Sequence, residues 1–298
     1  MRTKLIAFAT AVLCTIAISL GLAGKIYTVN AMEYGRSYQY YVYATGESDT
    51  YTLYGEDIVS TVSSRSGTVD DRVPDHENVA VVQLMDVGGS GFIVDDHTIA
   101  TAAHCVYNHG FISSMRIKIY NENCTAVLKT ITPKEVHVPN QYIFDEDGYD
   151  SGEYDYALLY VEEDLSQYGV IPLAVPTDNF MSSNSTVTIS GFPDNTASNP
   201  NAHCQIRYYA DGQIQDLRNV SDLVRWFPYM ILCNAYGSGG DSGGPIYVTT
   251  TCLGKEYKTA IGVFTSIYEP LGRFYGTRVT SDLLKFYYNN DYLGVYDW

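Results

Sequence analysis

Positive charge is scarce in this sequence. Its 298 residues carry 18 Lys and Arg against 34 Asp and Glu, a formal net charge of −16. Nucleic-acid binding needs a basic footprint, so that class of partner is excluded. Excess acid favours solubility and weakly repels acidic substrates, but it names no substrate. A second long apolar run is also missing: only Leu5–Gly24 is uncharged over a length able to span a bilayer. Metal-type spacing is absent as well. The cysteines form no close ligand pair, and His76, His97, His109, His137 and His203 read as ordinary surface or structural histidines. The acidic loop Asp145–Asp150 gathers carboxylates around Gly148 and could offer calcium hard oxygens. It departs from the Asp-x-Asp-x-Asp-Gly pattern and reads first as a solvated charge run. No metal or organic cofactor is expected. Internal repeats are not visible, and helical periodicity is nearly absent.

What is present begins with an export signal. Arg2 and Lys4 precede the uncharged Leu5–Gly24, and Val29-Asn30-Ala31 supplies small residues for cleavage. The short flank and that site favour a removed signal peptide over residues 1–31 rather than a retained anchor. The rest is expected to be secreted and extracellular, with no stable membrane association. Residues 32–65 alternate tyrosine with small polar residues (Tyr38, Tyr40, Tyr41, Tyr43, Tyr51, Tyr54) and hold little Leu, Ile or Phe. Such a segment forms strands that pair with something else, without a core of its own. It ends at Ser63-Ser64-Arg65-Ser66, a polar and cuttable stretch. A propeptide and a disordered linker both fit.

Beyond residue 66 the chain is written in short β-type runs. Val79–Met85, Met115–Tyr120, Ala126–Ile131, Tyr156–Val161 and Thr186–Ser190 are followed by Met230–Cys233, Pro245–Thr250, Thr259–Thr265 and Phe274–Val279. Frequent short strands without helices between them indicate an all-β sandwich or barrel. One helix closes the chain: Thr280 or Ser281 can cap it, Asp282 suits its first turn, and Leu283, Leu284 and Tyr287 form an apolar face.

Chemistry concentrates in Gly237-Ser-Gly-Gly-Asp-Ser-Gly-Gly-Pro245. Five glycines around Ser242 require a turn with unusual backbone angles or close approach of another chain. Such a turn exposes the Ser242 hydroxyl and directs the N–H groups of Gly240 and Ser242 into one space, where an oxyanion could sit. Serine alone is a weak nucleophile and needs a base held by a third group. Thr101-Ala-Ala-His-Cys105 supplies His104, and Glu153-Tyr-Asp-Tyr-Ala-Leu-Leu-Tyr160 supplies Asp155 at the head of a strand. The order His, Asp, Ser separates this set from the other orders in which such triads occur.

These three ordered motifs resemble those of the chymotrypsin-like serine peptidases, from about Thr68 to the C-terminus. Thr68-Val69-Asp70-Asp71-Arg72-Val73 resembles the mature start of the bacterial glutamyl endopeptidase subgroup. The resemblance implies two six-stranded antiparallel β-barrels with a C-terminal helix, a propeptide over 32–65, a peptidase domain over 66–298, and a monomer acting on protein or peptide substrates. It also implies catalytic His104, Asp155 and Ser242, with an oxyanion hole from Gly240 and Ser242. An inactive binding protein of the same fold, or a triad esterase, would share these residues. Retention of all three residues and Gly240 weighs against the first, and the fold resemblance against the second.

Three further expectations rest on the resemblance. The first concerns the cysteines: five remain after Cys14 leaves, an odd number outside the cell. The family's usual bridge joins the cysteine after the histidine to one about sixteen residues upstream; here Val87 is taken as that position, so the bridge is missing. Cys105–Cys124 and Cys204–Cys233 are replacement pairings, and connectivity stays open. The second concerns Asp241, which needs a cationic partner if buried. In the animal members that partner is an α-amino group freed by processing, so a terminus freed in Ser66–Val69 is expected to reach Asp241 or lie near the cleft. The third concerns specificity. Tyr236, Gly237, Phe264, Thr265 and Ser266 align with the primary substrate pocket, and neither the aspartate of trypsin-type preference nor the polar set of glutamyl preference is present. Ser238 and Thr265 remain as donors, and an uncharged, apolar or aromatic side chain before the cut is expected.

Overall fold

The structure is a computed structural model. It describes residues 35–42, 47–54, 70–143, 151–181, 185–194, 206–215, 230–252, 255–268 and 273–289. The signal, the cleavage stretch, the acidic loop Asp145–Asp150 and Cys204 lie outside those residues.

Two sheets carry the fold. The first contains β1 (Gly35–Val42), β2 (Glu47–Tyr54), β4 (Val81–Leu84), β5 (Gly89–Ile93), β6 (Thr98–Thr101), β7 (Ile117–Tyr120), β8 (Val127–Ile131), β9 (Glu135–Pro139) and β10 (Ala157–Tyr160). Its order is β2-β1-β9-β10-β6-β5-β4-β7-β8. The second contains β3 (Val73–Pro74), β11 (Thr186–Gly191), β12 (Tyr208–Gln215), β13 (Met230–Cys233), β14 (Pro245–Cys252), β15 (Lys255–Tyr268) and β16 (Arg273–Arg278). Its order is β11-β14-β15-β16-β13-β12-β3, and a further β11–β12 pairing closes it into a six-stranded barrel. The first sheet is curled into a half-barrel, so the expected double barrel is present with one ring closed by hydrogen bonds and one left open. β8 and β9 are neighbours in sequence but do not pair with each other: β8 pairs with β7, and β9 lies between β10 and β1.

The tyrosine-rich N-terminal segment forms an antiparallel hairpin. β1 then adds to β9, from Tyr38↔Pro139 to Val42↔Glu135. A two-stranded ribbon is marginal alone, and pairing with an existing sheet edge supplies what its composition lacks.

Two apolar clusters fill the interior. One lies inside the closed barrel around Ile189, Ile231, Ile246 and Phe264. The larger lies in the curled sheet and includes the closing helix, Ser281–Asn289. The Thr280 hydroxyl accepts the Leu283 N–H (3.2 Å) and caps that helix. Leu283, Leu284, Phe286 and Tyr287 are buried, each contributing roughly 1.5–3 kcal/mol of apolar burial. Phe286 meets Tyr156 edge to face (5.2 Å), and the Tyr287 hydroxyl donates to Asp95 (2.6 Å). The last described element is thereby strapped back onto the first half.

Candidate active site

Strand register builds the histidine side. β6 and β10 are antiparallel, with Ala157 opposite Thr101. The chain leaving β6 and the chain entering β10 therefore emerge at the same end of the ladder. The first turns through Ala103–Cys105 and presents His104; the second, after a turn over Ser151–Tyr154, presents Asp155. The Asp155 carboxylate accepts the His104 backbone N–H (2.9 Å) and lies 2.7 Å from its Nδ1. One carboxylate thus fixes both ring and backbone, placing the proton on Nδ1 and leaving Nε2 as the basic nitrogen. Burial disfavours the imidazolium, but Asp155 and the adjacent Cys105 sulfur outweigh it and hold His104 above its usual range. The Thr277 hydroxyl, buried on β16, bonds the Gly152 (2.7 Å) and Asp155 (3.3 Å) carbonyls and ties this turn to the other half.

The serine side is a glycine loop. Gly240 and Gly243 take φ of +88° and +86°, a region that disfavours side chains. A Cβ on Gly243 would collide with the Ser90 carbonyl oxygen and the Thr101 hydroxyl. The loop is held by Ser90 of β5, which is fully buried. Its N–H donates to the Ser242 carbonyl (2.7 Å), and its hydroxyl donates to the Gly240 carbonyl (2.7 Å) while accepting the Phe192 N–H (2.8 Å). With their carbonyls tied back, the N–H groups of Gly240 and Ser242 donate to nothing among the described residues. Those two donors are available to a developing oxyanion. The Ser242 hydroxyl does not hydrogen-bond His104 in this structure; such bonds are often long before substrate is bound.

Cysteine pairing differs from expectation. Cys105, Cys124 and Cys233 are free thiols, so neither the Cys105–Cys124 nor the Cys204–Cys233 bridge is formed. Cys105 Sγ instead donates to the Ser242 carbonyl (3.6 Å), and Cys124 Sγ accepts the Arg207 N–H (3.5 Å). Cys233 is buried against the Phe274 carbonyl (3.8 Å), and burial pushes its thiol up to about 12. The position facing Cys105 is also not Val87. It is Gly89, where a Cβ would come 2.7 Å from Cys105 Sγ. The bridge is missing because its second half is a residue without a side chain.

Asp241 has a partner that the sequence reading did not find. Its Oδ2 accepts from Arg72 (3.0 Å) and from the Ser238 N–H (2.9 Å). The side chains of Arg72 and Asp241 are each 2% exposed. Burial raises the Asp241 carboxyl to about 7, even with the Arg72 charge beside it. Arg72 also donates to Ser238 Oγ (2.6 Å), forks onto Asp70 (2.9 and 3.0 Å) and lies over the Tyr236 ring (4.8 Å). A side chain, rather than a freed α-amino group, supplies the cation. Residues 66–69 lie outside the described residues. The available signal was an arginine two residues after an aspartate in the run Val69–Val73, which was read only as a mature start.

The five pocket residues do not all face one space. Tyr236 lies tilted against Phe274 (5.0 Å) and under Arg72. Gly237 lies against Phe264, where a Cβ would come 2.6 Å from the ring. Phe264 is 1% exposed, Thr265 is buried with its hydroxyl directed at the Tyr275 carbonyl (3.5 Å), and Ser266 is exposed. An aromatic ring therefore stands at the glycine wall where a polar partner was sought.

Fold and loop together define a chymotrypsin-like serine-peptidase scaffold. The Trypsin family model matches residues 69–281, and the chain belongs to that family. A solved structure of Glu endopeptidase in complex with MPD is similar over 76% of this chain and 97% of its own, with a TM-score of 0.56 and 17% sequence identity. No curated protein matches the chain.

Proposed function

We propose that this chain is a secreted serine endopeptidase, made with a signal peptide over 1–31 and a propeptide over 32–65. The observation that carries the reading is the His104–Asp155 pair (2.7 Å) in a trypsin-family fold whose serine loop keeps two N–H groups without a partner among the described residues. Ser242 attacks the scissile carbonyl while His104 Nε2 takes its proton, forming a tetrahedral intermediate and then an acyl-enzyme. The proton passes to the leaving amine, and water completes the cycle by the same route. Asp155 holds the tautomer and stabilises the imidazolium without becoming protonated. Gly240 and Ser242 N–H groups receive the oxyanion. Contact between Phe264 and Gly237 supports an uncharged, apolar or aromatic side chain before the cut, since a carboxylate buried there without polar partners would cost several kcal/mol or about that order.

Labelling by a fluorophosphonate tests the triad: the expected result is covalent modification lost in Ser242→Ala. Absence of labelling in the processed wild type would leave an inactive binding protein of this fold. Turnover of simple esters without peptides would point to an esterase. A peptide library then reads the pocket, and strong selection for Glu, or for Arg and Lys, would overturn the apolar assignment.

A further inference from the structure

We propose that Arg72 is the positioning residue that sets the oxyanion loop, so that the loop is built before any N-terminal processing. The inference rests on the serine-peptidase reading and deepens it. Asp241 lies between the two oxyanion donors, Gly240 and Ser242, so the position of its side chain orients both. Its Oδ2 is occupied by Arg72 and by the Ser238 N–H. Its Oδ1 is buried beside Gly191 and accepts from nothing among the described residues, so Arg72 is the cation that faces this carboxylate in the structure.

Arg72 is itself held from several directions. Asp70 fixes the fork, Tyr236 lies beneath its plane, and Ser238 Oγ takes a second proton from the nitrogen that reaches Asp241. The next residues, Val73–Pro74, pair with Tyr209 and Tyr208 of β12, and the Asp75 N–H donates to the Arg207 carbonyl (2.8 Å). The guanidinium is therefore delivered by a segment anchored to the closed barrel rather than by a chain end. Its charge does not depend on where a cut falls upstream of Asp70. Processing is left to control access to the cleft, not the shape of the loop.

The test uses the full-length chain, its integrity confirmed by mass, beside the processed form. A small fluorophosphonate should label Ser242 in the intact chain at a rate within about tenfold of the processed form. Arg72→Met should lower labelling on the order of 10²-fold in both, comparable to losing one oxyanion donor. For a peptide substrate the loss should fall on kcat with little change in KM. Arg72→Met combined with Asp241→Asn should recover most of the rate, because the neutral amide no longer needs a cation; a merely structural role for Arg72 predicts no such rescue. Melting temperatures of both variants separate misfolding from misalignment, and Arg72→Lys should retain an intermediate rate. Equal labelling of Arg72→Met and wild type would overturn the inference. So would an intact chain that fails to label while the processed form labels. If even processed wild type does not label, the peptidase reading fails and this inference falls with it.

Discussion

The two sides of the site are held by opposite means. His104 and Asp155 stand at the ends of paired strands, and one carboxylate fixes ring and backbone together. Ser242 stands in a loop whose glycines have no side chains with which to hold themselves. That loop is shaped from outside, by Ser90 from the other sheet and Arg72 from the N-terminal segment. A base needs one orientation, which strand register supplies. An oxyanion hole needs backbone N–H groups kept unpaired, and here the neighbouring carbonyls of Gly240 and Ser242 are tied to Ser90 instead.

The sharpest way to break this comparison is to remove its two centres. Ser242→Ala or His104→Ala should lower kcat by roughly 10⁶-fold, and Asp155→Asn by roughly 10⁴-fold, in steady-state assays with a peptide substrate. Near-wild-type turnover in Ser242→Ala would end the assignment of both sides. Ser90→Ala comes next. It frees the Gly240 carbonyl and strands the buried Phe192 N–H, costing about 1–3 kcal/mol of stability. A kcat loss between roughly 10- and 100-fold is expected, since the N–H of residue 90 still holds Ser242. A KM effect alone would show that Ser90 does not shape the oxyanion loop.

A pH profile separates the sides more gently. His104 must be neutral to act as base, and its pKa is raised, so kcat/KM should climb with pH along an acid limb centred above about 6.5. Stability runs the other way. The charged pair's contribution is complete below the unfolded value and is lost as pH rises through the raised one. Asp155→Asn should move the limb down; an unmoved limb would mean that Asp155 is not what raises His104. The smallest expected effect is a gain. Gly89→Cys should form a bridge with Cys105 and add about 3 kcal/mol or less for a loop of this length. The melting temperature should rise without reductant only, and no difference on reduction would show that the two positions do not face each other.

Much of this was legible because period and motif are local. The short β runs, the capped closing helix and the segments carrying His104, Asp155 and Ser242 were readable along the chain, and strand register then set His104 beside Asp155. The hairpin's appetite for a partner was also visible in its alternating tyrosines, though its attachment to β9 was not. Arg72 and Ser90 were not found because their meaning is three-dimensional. An arginine among aspartates looks like a solvated charge until burial removes the water, and a serine between glycines in β5 looks like a turn residue. Gly89 was missed by a slip of two positions, since it stands sixteen residues before Cys105 and Val87 stands eighteen before it.

Addition of β1 to β9 joins residues about a hundred positions apart, Tyr38 with Pro139, and pairings of such separation slow folding because loop closure comes before any reward. The hairpin itself is local: four residues, 43–46, separate its strands, and ribbons of that kind close in about 1–10 μs. Because such a ribbon is marginal alone, it persists only once β9 supplies an edge for it. During synthesis the hairpin leaves the ribosome well before β9 does, so its lasting attachment waits on a strand made about eighty residues later.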